Sequence, residues 1–303
     1  MILAPLRGVT VRAFREVFAD CLVEAGFTEA FTPFITAIAG FDPLKDRELS
    51  NHRPVQSAGR TLLLTPQFIG KDPEALRQCL LKVKAAGFAT ADLNCGCPFP
   101  MVRNKGRGSG LLSTPEVFER MLAVGCETMG PGCFSVKARL GVSRADELLK
   151  LMPVINRYPL RFLTVHGRVA KQMYEGAVDW NAVSAIAKVA KVPIVLNGDL
   201  PFETAAATAS FRLISPPPQD IMVGRAFIRA LGERGDIAAF LQRYVEVSRA
   251  ELFGDRPVLG RIKELVAYWK DSPRWRRRWN VVKLARTIPE FATAFDGLEE
   301  IAS

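Results

Sequence analysis

The chain has very few histidines and no long hydrophobic run, and both absences narrow the choice of protein class. Only two of the 303 residues are histidine, so a zinc site has few candidate nitrogen ligands and we expect no metal. The longest apolar runs, such as residues 61–64 and 221–223, are far shorter than the roughly 20 residues that span a bilayer, and we expect no membrane segment. The first residues enter an apolar strand pattern without the features of a secretion signal, so we expect a cytoplasmic protein.

The cysteines indicate a reducing environment, and the positive net charge favours an anionic partner. Six cysteines in a chain without a secretion signal are expected to be free thiols, and only Cys95 and Cys97 are clustered. The net charge is +10, from 41 Lys and Arg against 31 Asp and Glu. Such an excess favours phosphate contacts, although many basic proteins bind no nucleic acid.

Short β-rich runs alternate with amphipathic helical patterns for most of the length. The predicted strands span residues 2–4, 30–35, 61–69, 90–94, 134–139, 162–166, 194–197 and 220–223, and the predicted helices between them span 11–25, 73–86, 115–129, 145–157, 180–189 and 203–209. Eight strands with intervening helices predict an α/β fold, a (β/α)₈ TIM barrel. The alternative is an open doubly wound sheet, but no G-x-G-x-x-G follows the first strand.

The pattern becomes purely helical towards the C-terminus, with helices predicted at 237–252, 258–270 and 279–295. We therefore predict a catalytic barrel domain at residues 1–235 and a small helical domain at 236–303. Arginines at 274 and 276–278 alternate there with Trp275 and Trp279, a composition that suits a phosphate backbone with exposed bases. The alternative is a solvated charged segment with two core tryptophans.

Polar and glycine-bearing segments follow nearly every predicted strand, and in a parallel barrel these positions share one rim. Glycine turns after strands seven and eight, with Arg225 beside the second, suit a phosphate group. Such a site without a dinucleotide motif is compatible with FMN, pyridoxal phosphate or a sugar phosphate. The segments at or directly after the strand ends are residues 5–8, Gln67, 94–98, 137–139, 166–168, 197–199 and 224–225.

Three side chains on this rim could take part in chemistry. Lys137 could be a Schiff-base nucleophile, a cation beside a flavin, or a solvated lysine. His166 could act at the site or be a structural histidine. Cys97 lies on a turn restricted by Gly96 and Pro98, where a protonated thiol could donate a proton, although an inert buried cysteine is the alternative. The following segment, 103–110, carries three cations and three glycines and suits a mobile lid.

Taken together, these segments resemble the tRNA-dihydrouridine synthase family over nearly the whole length, and within it the bacterial C-type enzymes that act on position 16 of the D-loop. The order and spacing of the motifs make the match specific. The motifs are residues 3–10, 66–67, 92–98 with the glycine-rich loop to 112, 136–141, 165–168, 172–174, 179–180, 197–199 and 223–225.

The resemblance implies a barrel that binds FMN, with NADPH as the reductant of the flavin. It implies hydride transfer from the flavin to C6 of a uridine and proton transfer from Cys97 to C5. Asn94 and Tyr174 would then contact the target nucleotide. The implied FMN contacts are Pro5, Leu6 and Arg7 under the ring, Gln67 and Lys137 along its polar edge, His166 nearby, and Asn197, Gly198, Asp199, Gly224 and Arg225 around the ribityl phosphate.

Further tRNA contacts are expected in the C-terminal region, and we expect the protein to be a monomer. The expected contacts are Arg261, Lys263, Arg274, Arg276 and Lys283. Two other functions remain open from the sequence: an FMN-dependent reductase of a free pyrimidine, related to dihydroorotate or dihydropyrimidine dehydrogenases, and an RNA-binding protein that has lost turnover.

Overall fold

The structure is a computed structural model that describes residues 1–50, 55–57 and 59–294. Its strands are β1 (Ile2–Leu3), β2 (Glu29–Phe31), β3 (Ile35–Thr36), β4 (Val55–Ser57), β5 (Arg60–Thr65), β6 (Gln67–Ile69), β7 (Ala91–Cys95), β8 (Phe134–Gly141), β9 (Leu163–Val169), β10 (Ile194–Asn197) and β11 (Asp220–Val223). Its helices are α1 (Arg12–Val17), α2 (Ala19–Glu24), α3 (Pro73–Ala85), α4 (Pro100–Arg103), α5 (Pro115–Met129), α6 (Glu147–Ile155), α7 (Trp180–Val189), α8 (Thr204–Ser210), α9 (Arg225–Leu231), α10 (Ile237–Glu251), α11 (Asp255–Val266), α12 (Pro273–Arg276), α13 (Trp279–Leu284) and α14 (Ile288–Ala292).

The strands pair in parallel around a ring, which confirms the predicted barrel. β1 lies between β11 and β2, and β7, β8, β9, β10 and β11 follow one another in chain order. β2 and β3 are two parts of the second barrel strand, and β5 and β6 are two parts of the third; β2 pairs with β5, β3 with β6, and β6 with β7. β4 is antiparallel to β5 outside the ring.

Two of the predicted elements are interrupted for local reasons. The predicted strand at 61–69 divides at Pro66, which has no N–H for a ladder hydrogen bond, although its carbonyl accepts one from Asp92 N at 3.0 Å. The predicted helix at 11–25 is two short helices that meet at Phe18. The predicted helix at 279–295 is α13 followed by α14, where the Thr287 hydroxyl caps α14 by accepting from Glu290 N; residue 295 lies outside the described residues.

The inside of the barrel is partly polar, which is unusual because barrels are mostly filled by branched aliphatic side chains. At its lower end the buried Glu29 carboxylate accepts from both Nη atoms of Arg161, at 2.6 and 2.9 Å. A second polar layer lies higher, formed by Gln67, Asp92 and Ser135 on adjacent strands. Buried polar groups need partners, so these layers are hydrogen-bonded internally.

The C-terminal helices pack against the barrel. The Trp269 and Trp275 side chains are both 1% exposed, and their ring centroids lie 4.7 Å apart. Trp269 Nε1 donates to Ile228 O and Trp275 Nε1 to Gly232 O, both at 2.7 Å. Trp275 is therefore a core residue rather than an exposed platform for bases. The presence of C-terminal helices is confirmed, and the division into two domains stays a prediction.

No helix in the described part of the chain combines the length and the apolar character needed to cross a membrane. The same part of the chain contains no group of three or more His, Cys, Asp or Glu side chains placed to hold a metal ion. All six cysteines are free thiols, as expected.

Candidate active site

A cavity of about 1020 Å³ opens at the carboxyl ends of the barrel strands. Most of the residues predicted from the sequence line it, so the structure brings together segments that are far apart in the chain. Those that line it are Pro5, Leu6, Arg7, Asn94, Cys97, Lys137, His166, Tyr174, Asn197, Gly198, Asp199, Gly224 and Arg225. Gln67 lies behind this wall, fully buried, and contacts Asn94.

Cys97 lies on a turn that is hydrogen-bonded on both sides. Asn94 Oδ1 accepts from Gly96 N at 3.0 Å and from Cys97 N at 2.8 Å. The Cys97 carbonyl accepts from Ser109 N at 3.2 Å and from Ser109 Oγ at 2.9 Å. Burial raises the pKa of the Cys97 thiol, while a backbone hydrogen bond from Phe99 opposes that rise. The thiol is therefore protonated at neutral pH and able to donate a proton.

Lys137 extends from β8 into the cavity wall and meets the turn after β10. Its Nζ donates to Asn197 Oδ1 at 2.8 Å, and Asn197 Nδ2 donates to Met222 O at 2.8 Å. Burial lowers the pKa of Lys137 to about 7, and the charge of Arg139 lowers it further while that of Asp92 opposes. A bound anion at this position would favour the charged ammonium.

His166 is neutral in this environment. Burial lowers its pKa well below the usual value, and the charges of Arg139 and Lys137 act in the same direction. Its Nε2 lies 3.3 Å from Nη1 of Arg168. Because a guanidinium only donates, Nε2 is the acceptor and the proton belongs on Nδ1.

Asp199 organises two arginines beside the cavity. Its carboxylate pairs with Arg225 at 2.5 Å and with Arg168, whose guanidinium also donates to Gly176 O at 2.6 and 3.0 Å. The preceding Gly198 has φ +116, and a Cβ there would lie 2.8 Å from the His166 ring. The turn thus needs glycine at 198, and it holds the Arg225 cation at the cavity wall.

Arg139 and Tyr174 form the remaining polar wall. The Tyr174 ring contacts two guanidinium groups, with its centre 5.3 Å from that of Arg139 and 4.9 Å from that of Arg225. Arg139 Nε donates to Gly96 O at 3.0 Å, so this arginine also holds the turn that carries Cys97. The sequence places Arg139 and Arg168 in segments at strand ends, but it did not assign a role to either of them. A signal existed, because each follows a selected residue by two positions on the same strand face.

The C-terminal helices also contribute to the cavity, which the sequence patterns did not indicate. Glu264 of α11 and Tyr268 of the following 3₁₀-turn (Ala267–Trp269) line it. A Cβ on Gly8 would overlap the Glu264 carboxylate, so α11 approaches the loop after β1 closely. Arg7 lies in the same wall, with its guanidinium 5.4 Å from the centre of the Phe34 ring.

The residues predicted to contact a partner from the C-terminal region do not line the cavity, and several use their donors within the protein. Arg261 Nη1 donates to Glu251 Oε2 at 2.6 Å. Lys263 Nζ donates to the carbonyls of Lys283, at 3.0 Å, and Ala285. Their predicted roles stay predictions. Of the others, Arg274 donates to Arg234 O at 2.7 Å, Arg276 donates to Asp271 O at 3.4 Å, and Lys283 is exposed.

Comparison with known proteins identifies related sequences and folds. The model of the family described as dihydrouridine synthase matches residues 2–230. A "Probable tRNA-dihydrouridine synthase" of Helicobacter pylori is 26% identical, with 99% of this chain and 91% of that protein covered. A "tRNA-dihydrouridine(16) synthase" of Shigella flexneri is 25% identical, with 99% and 98% covered.

The solved structures support the fold alone, since they share little sequence with this chain. The old yellow enzyme homologue from Zymomonas mobilis has a TM-score of 0.53 at 15% identity and covers 76% of this chain and 85% of its own. Morphinone reductase has a TM-score of 0.52 at 12% identity, with 76% and 82% covered. Both likenesses are consistent with the barrel.

Proposed function

The chain belongs to the dihydrouridine synthase family, and we propose that it reduces a uridine in the D-loop of transfer RNA, at position 16, to 5,6-dihydrouridine. Enzymes of this family depend on FMN and use a reduced nicotinamide nucleotide; we propose NADPH here. The choice of position 16 is supported by the relatives that carry this position in their names and match almost the whole chain.

The residues around the cavity fit FMN. A volume of about 1020 Å³ is sufficient for a flavin together with a nucleoside, given that ligand pockets commonly measure roughly 300–1000 Å³. At Gly224 a Cβ would lie 3.1 Å from that of Ala4, so the ends of β11 and β1 meet closely below the cavity. The donor set combines the partly buried Lys137 with the preorganised Arg225, which suits an electron-rich ring and a phosphate.

In this assignment Pro5, Leu6 and Arg7 would hold the flavin ring. Lys137 would meet the polar edge of the flavin, with His166 nearby and with Gln67 supporting that edge from behind Asn94. The ribityl phosphate is held by Asn197, Gly198, Asp199, Gly224 and Arg225. When bound, FMN supplies the electron pair and one hydrogen that the C5=C6 bond of uracil needs, after its own reduction by NADPH.

The reduction of that bond also consumes one proton, and Cys97 is placed to donate it. One observation carries the proposal: the buried, protonated thiol of Cys97 lines the same cavity as Lys137 and Arg225. The proton leaves Sγ for C5 of the base, and the resulting thiolate lies near Arg7 and Arg139, whose charges lower its pKa. Asn94 and Tyr174 contact the target nucleotide in this proposal.

The uridine has to leave its stack to reach the cavity, and the mouth suits a displaced nucleotide. Phe99 and Met101, on the segment after the Cys97 turn, are 42% and 73% exposed although they are large and apolar. Exposed apolar side chains beside cationic ones suit stacked bases and phosphates. The net charge of +10 is of the right sign for the tRNA backbone. We propose that the C-terminal region, residues 236–303, contacts the body of the tRNA.

The test uses purified protein loaded with FMN, unmodified tRNA and NADPH. We expect Cys97→Ala to lower dihydrouridine formation about 10²- to 10⁴-fold, the usual contribution of a general acid. NADPH oxidation by the bound flavin should persist. Cys133→Ala is the matched control, since this thiol does not line the cavity. Unchanged dihydrouridine formation by the Cys97→Ala protein would exclude the assigned acid.

Two alternatives have their own outcomes. Reduction of free uracil or orotate without tRNA would identify a reductase of free pyrimidines. Salt-dependent tRNA binding by a protein that takes up no flavin would identify a binding protein without turnover.

A further inference from the structure

Asp92 is a carboxyl group inside the barrel that the proposed reaction does not use. It is fully buried on β7, between Gln67 of β6 and Ser135 of β8, with which it is in register. Its Oδ1 accepts from Ser135 Oγ at 2.6 Å and its Oδ2 from Gln67 Nε2 at 2.8 Å. Burial raises the pKa of Asp92 to about 7, while both hydrogen bonds and the charge of Lys137 favour the ionised form.

A chain of side-chain amides connects this carboxylate to the turn that carries Cys97. Gln67 Oε1 accepts from Asn94 Nδ2 at 2.8 Å. Asn94 Oδ1 accepts in turn from the backbone N–H groups of Gly96, at 3.0 Å, and of Cys97, at 2.8 Å. Asp92, Gln67 and Asn94 are all less than 9% exposed, so water competes little for these bonds.

The polarity of the chain follows from its two ends. An ionised carboxylate only accepts, and both hydrogen bonds and the charge of Lys137 favour that form, so Gln67 turns its nitrogen towards Asp92 and its oxygen towards Asn94. Asn94 then has to present its nitrogen to Gln67 and its oxygen to the turn. The backbone N–H groups at the other end only donate, so they require the same orientation. One N–H of Asn94 is not used by this chain of bonds, and Asn94 lines the cavity.

We propose that Asp92 is a positioning residue for the proton donor: its carboxylate fixes the orientation of the Gln67 and Asn94 amides, and these hold the Cys97 turn in place. The inference rests on the proposed function for its catalytic consequence. Its structural part, the orientation of the turn, is independent of the substrate. Without an acceptor at 92, Gln67 Nε2 is left buried without a partner, and the amide has to turn or move to find one.

The variant Asp92→Leu has the same branching as aspartate but cannot accept a hydrogen bond. We expect it to slow oxidation of the reduced, FMN-loaded enzyme by tRNA about 10- to 100-fold, because displacing a reacting group by about 1 Å costs that much. Asp92→Asn is the matched conservative variant. Its oxygen can accept from Gln67 and its nitrogen can donate to Ser135, so the rate should return to within about threefold of wild type.

The same substitutions in a Cys97→Ala background show whether Asp92 acts through the thiol. If it does, Asp92→Leu adds little to the loss already caused by Cys97→Ala, and the two effects are not additive. An equal loss from Asp92→Leu with and without the thiol would overturn the proposal. So would an Asp92→Asn protein as slow as the Asp92→Leu protein, because the charge and not the hydrogen-bond orientation would then be responsible.

A second measurement does not depend on turnover. The rate of alkylation of Cys97 by iodoacetamide, followed by peptide mass spectrometry, should change severalfold in Asp92→Leu and return in Asp92→Asn. Cys133, which is partly exposed and remote from the cavity lining, is the internal control and should react at an unchanged rate. Unchanged reactivity of Cys97 in Asp92→Leu would overturn the positioning role. If Asp92→Leu does not fold, Asp92→Ala takes its place with the same expectations.

The experiments distinguish failure of the proposed function from failure of the role of Asp92. In that case the wild-type protein forms no dihydrouridine, whereas the alkylation rates still report the orientation of the Cys97 turn. If the wild-type enzyme is active but the alkylation rate of Cys97 does not depend on residue 92, the proposed function stands and the proposed role of Asp92 is wrong.

Discussion

Gly108 presses against the residue that we assign as the proton donor, so a single methyl group there should displace it. Gly108 has φ +59, and a Cβ built on it would lie 2.8 Å from the Cβ of Cys97 and 3.0 Å from its carbonyl oxygen. Carbon atoms pack at about 3.5–4.0 Å. Gly108→Ala therefore requires a shift of roughly 0.7–1.2 Å between the segment 103–110 and the Cys97 turn.

A shift of that size at a reacting group corresponds to a loss of up to about 100-fold in rate. Gly106→Ala is the matched control, because Gly106 has a similar φ of +71 but faces only the flexible end of the Lys71 side chain, at 3.5 Å. Both variants incur the cost of alanine in the left-handed region, about 1–2 kcal/mol. We expect similar denaturation midpoints and a selective loss of dihydrouridine formation in Gly108→Ala. Equal activities of the two variants would refute the steric argument.

Two further predictions concern stability. Arg261→Met breaks a pair with the 3%-exposed Glu251 side chain, which keeps Arg12 as a second partner at 2.9 Å, and should cost about 1–3 kcal/mol in urea unfolding, against little for the exposed Arg256→Met on the same helix. If Arg261 also contacts a tRNA phosphate, the slope of the logarithm of the tRNA-binding constant against the logarithm of the salt concentration falls by about one in Arg261→Met. His166 is buried and neutral, so below about pH 6.5 only the unfolded state takes up a proton at this residue. The free energy of unfolding of the flavin-free protein should therefore fall as the pH falls below about 6.5, by at most about 1.4 kcal/mol per pH unit. His166→Gln should lack this loss in pH-dependent unfolding.

The barrel was predictable because its signal is local. The residue pattern within each segment predicts whether it is a strand or a helix, and the alternation of the two predicts a parallel barrel. The interruptions were less visible, although Pro66 marks one of them. The burial of Trp275 was one of two alternatives that the sequence left open, and no local pattern decided between them, since its partner is the carbonyl of Gly232, 43 positions away in the chain. A tryptophan between arginines has the same local pattern whether it faces solvent or the core.

The cavity residues also divide into those with a local sequence signal and those without one. Cys97, Lys137 and Arg225 could be selected because each stands at a strand end, and all strand ends meet on one face of the barrel. Glu264 and Tyr268 could not be selected from the sequence, because they reach the cavity through the packing of α11 rather than through a position on a strand. The buried Asp92 lies within the motif at 92–98, yet its connection to Cys97 depends on the amide orientations of Gln67 and Asn94, which no spacing reveals.

The turn after β10 shows how backbone strain and charge combine at the proposed phosphate site. Gly198 and Asp199 both have positive φ, at +116 and +46, and for an aspartate this conformation costs on the order of 1 kcal/mol. The conformation places the Asp199 carboxylate between Arg168 and Arg225; partial burial raises its pKa, but the hydrogen bond from Arg168 and the charge of Arg225 lower it more. The ion pair keeps Arg225 at the cavity wall. A phosphate that arrives there meets an ordered cation and need not immobilise a free arginine, so the strain contributes to binding through preorganisation.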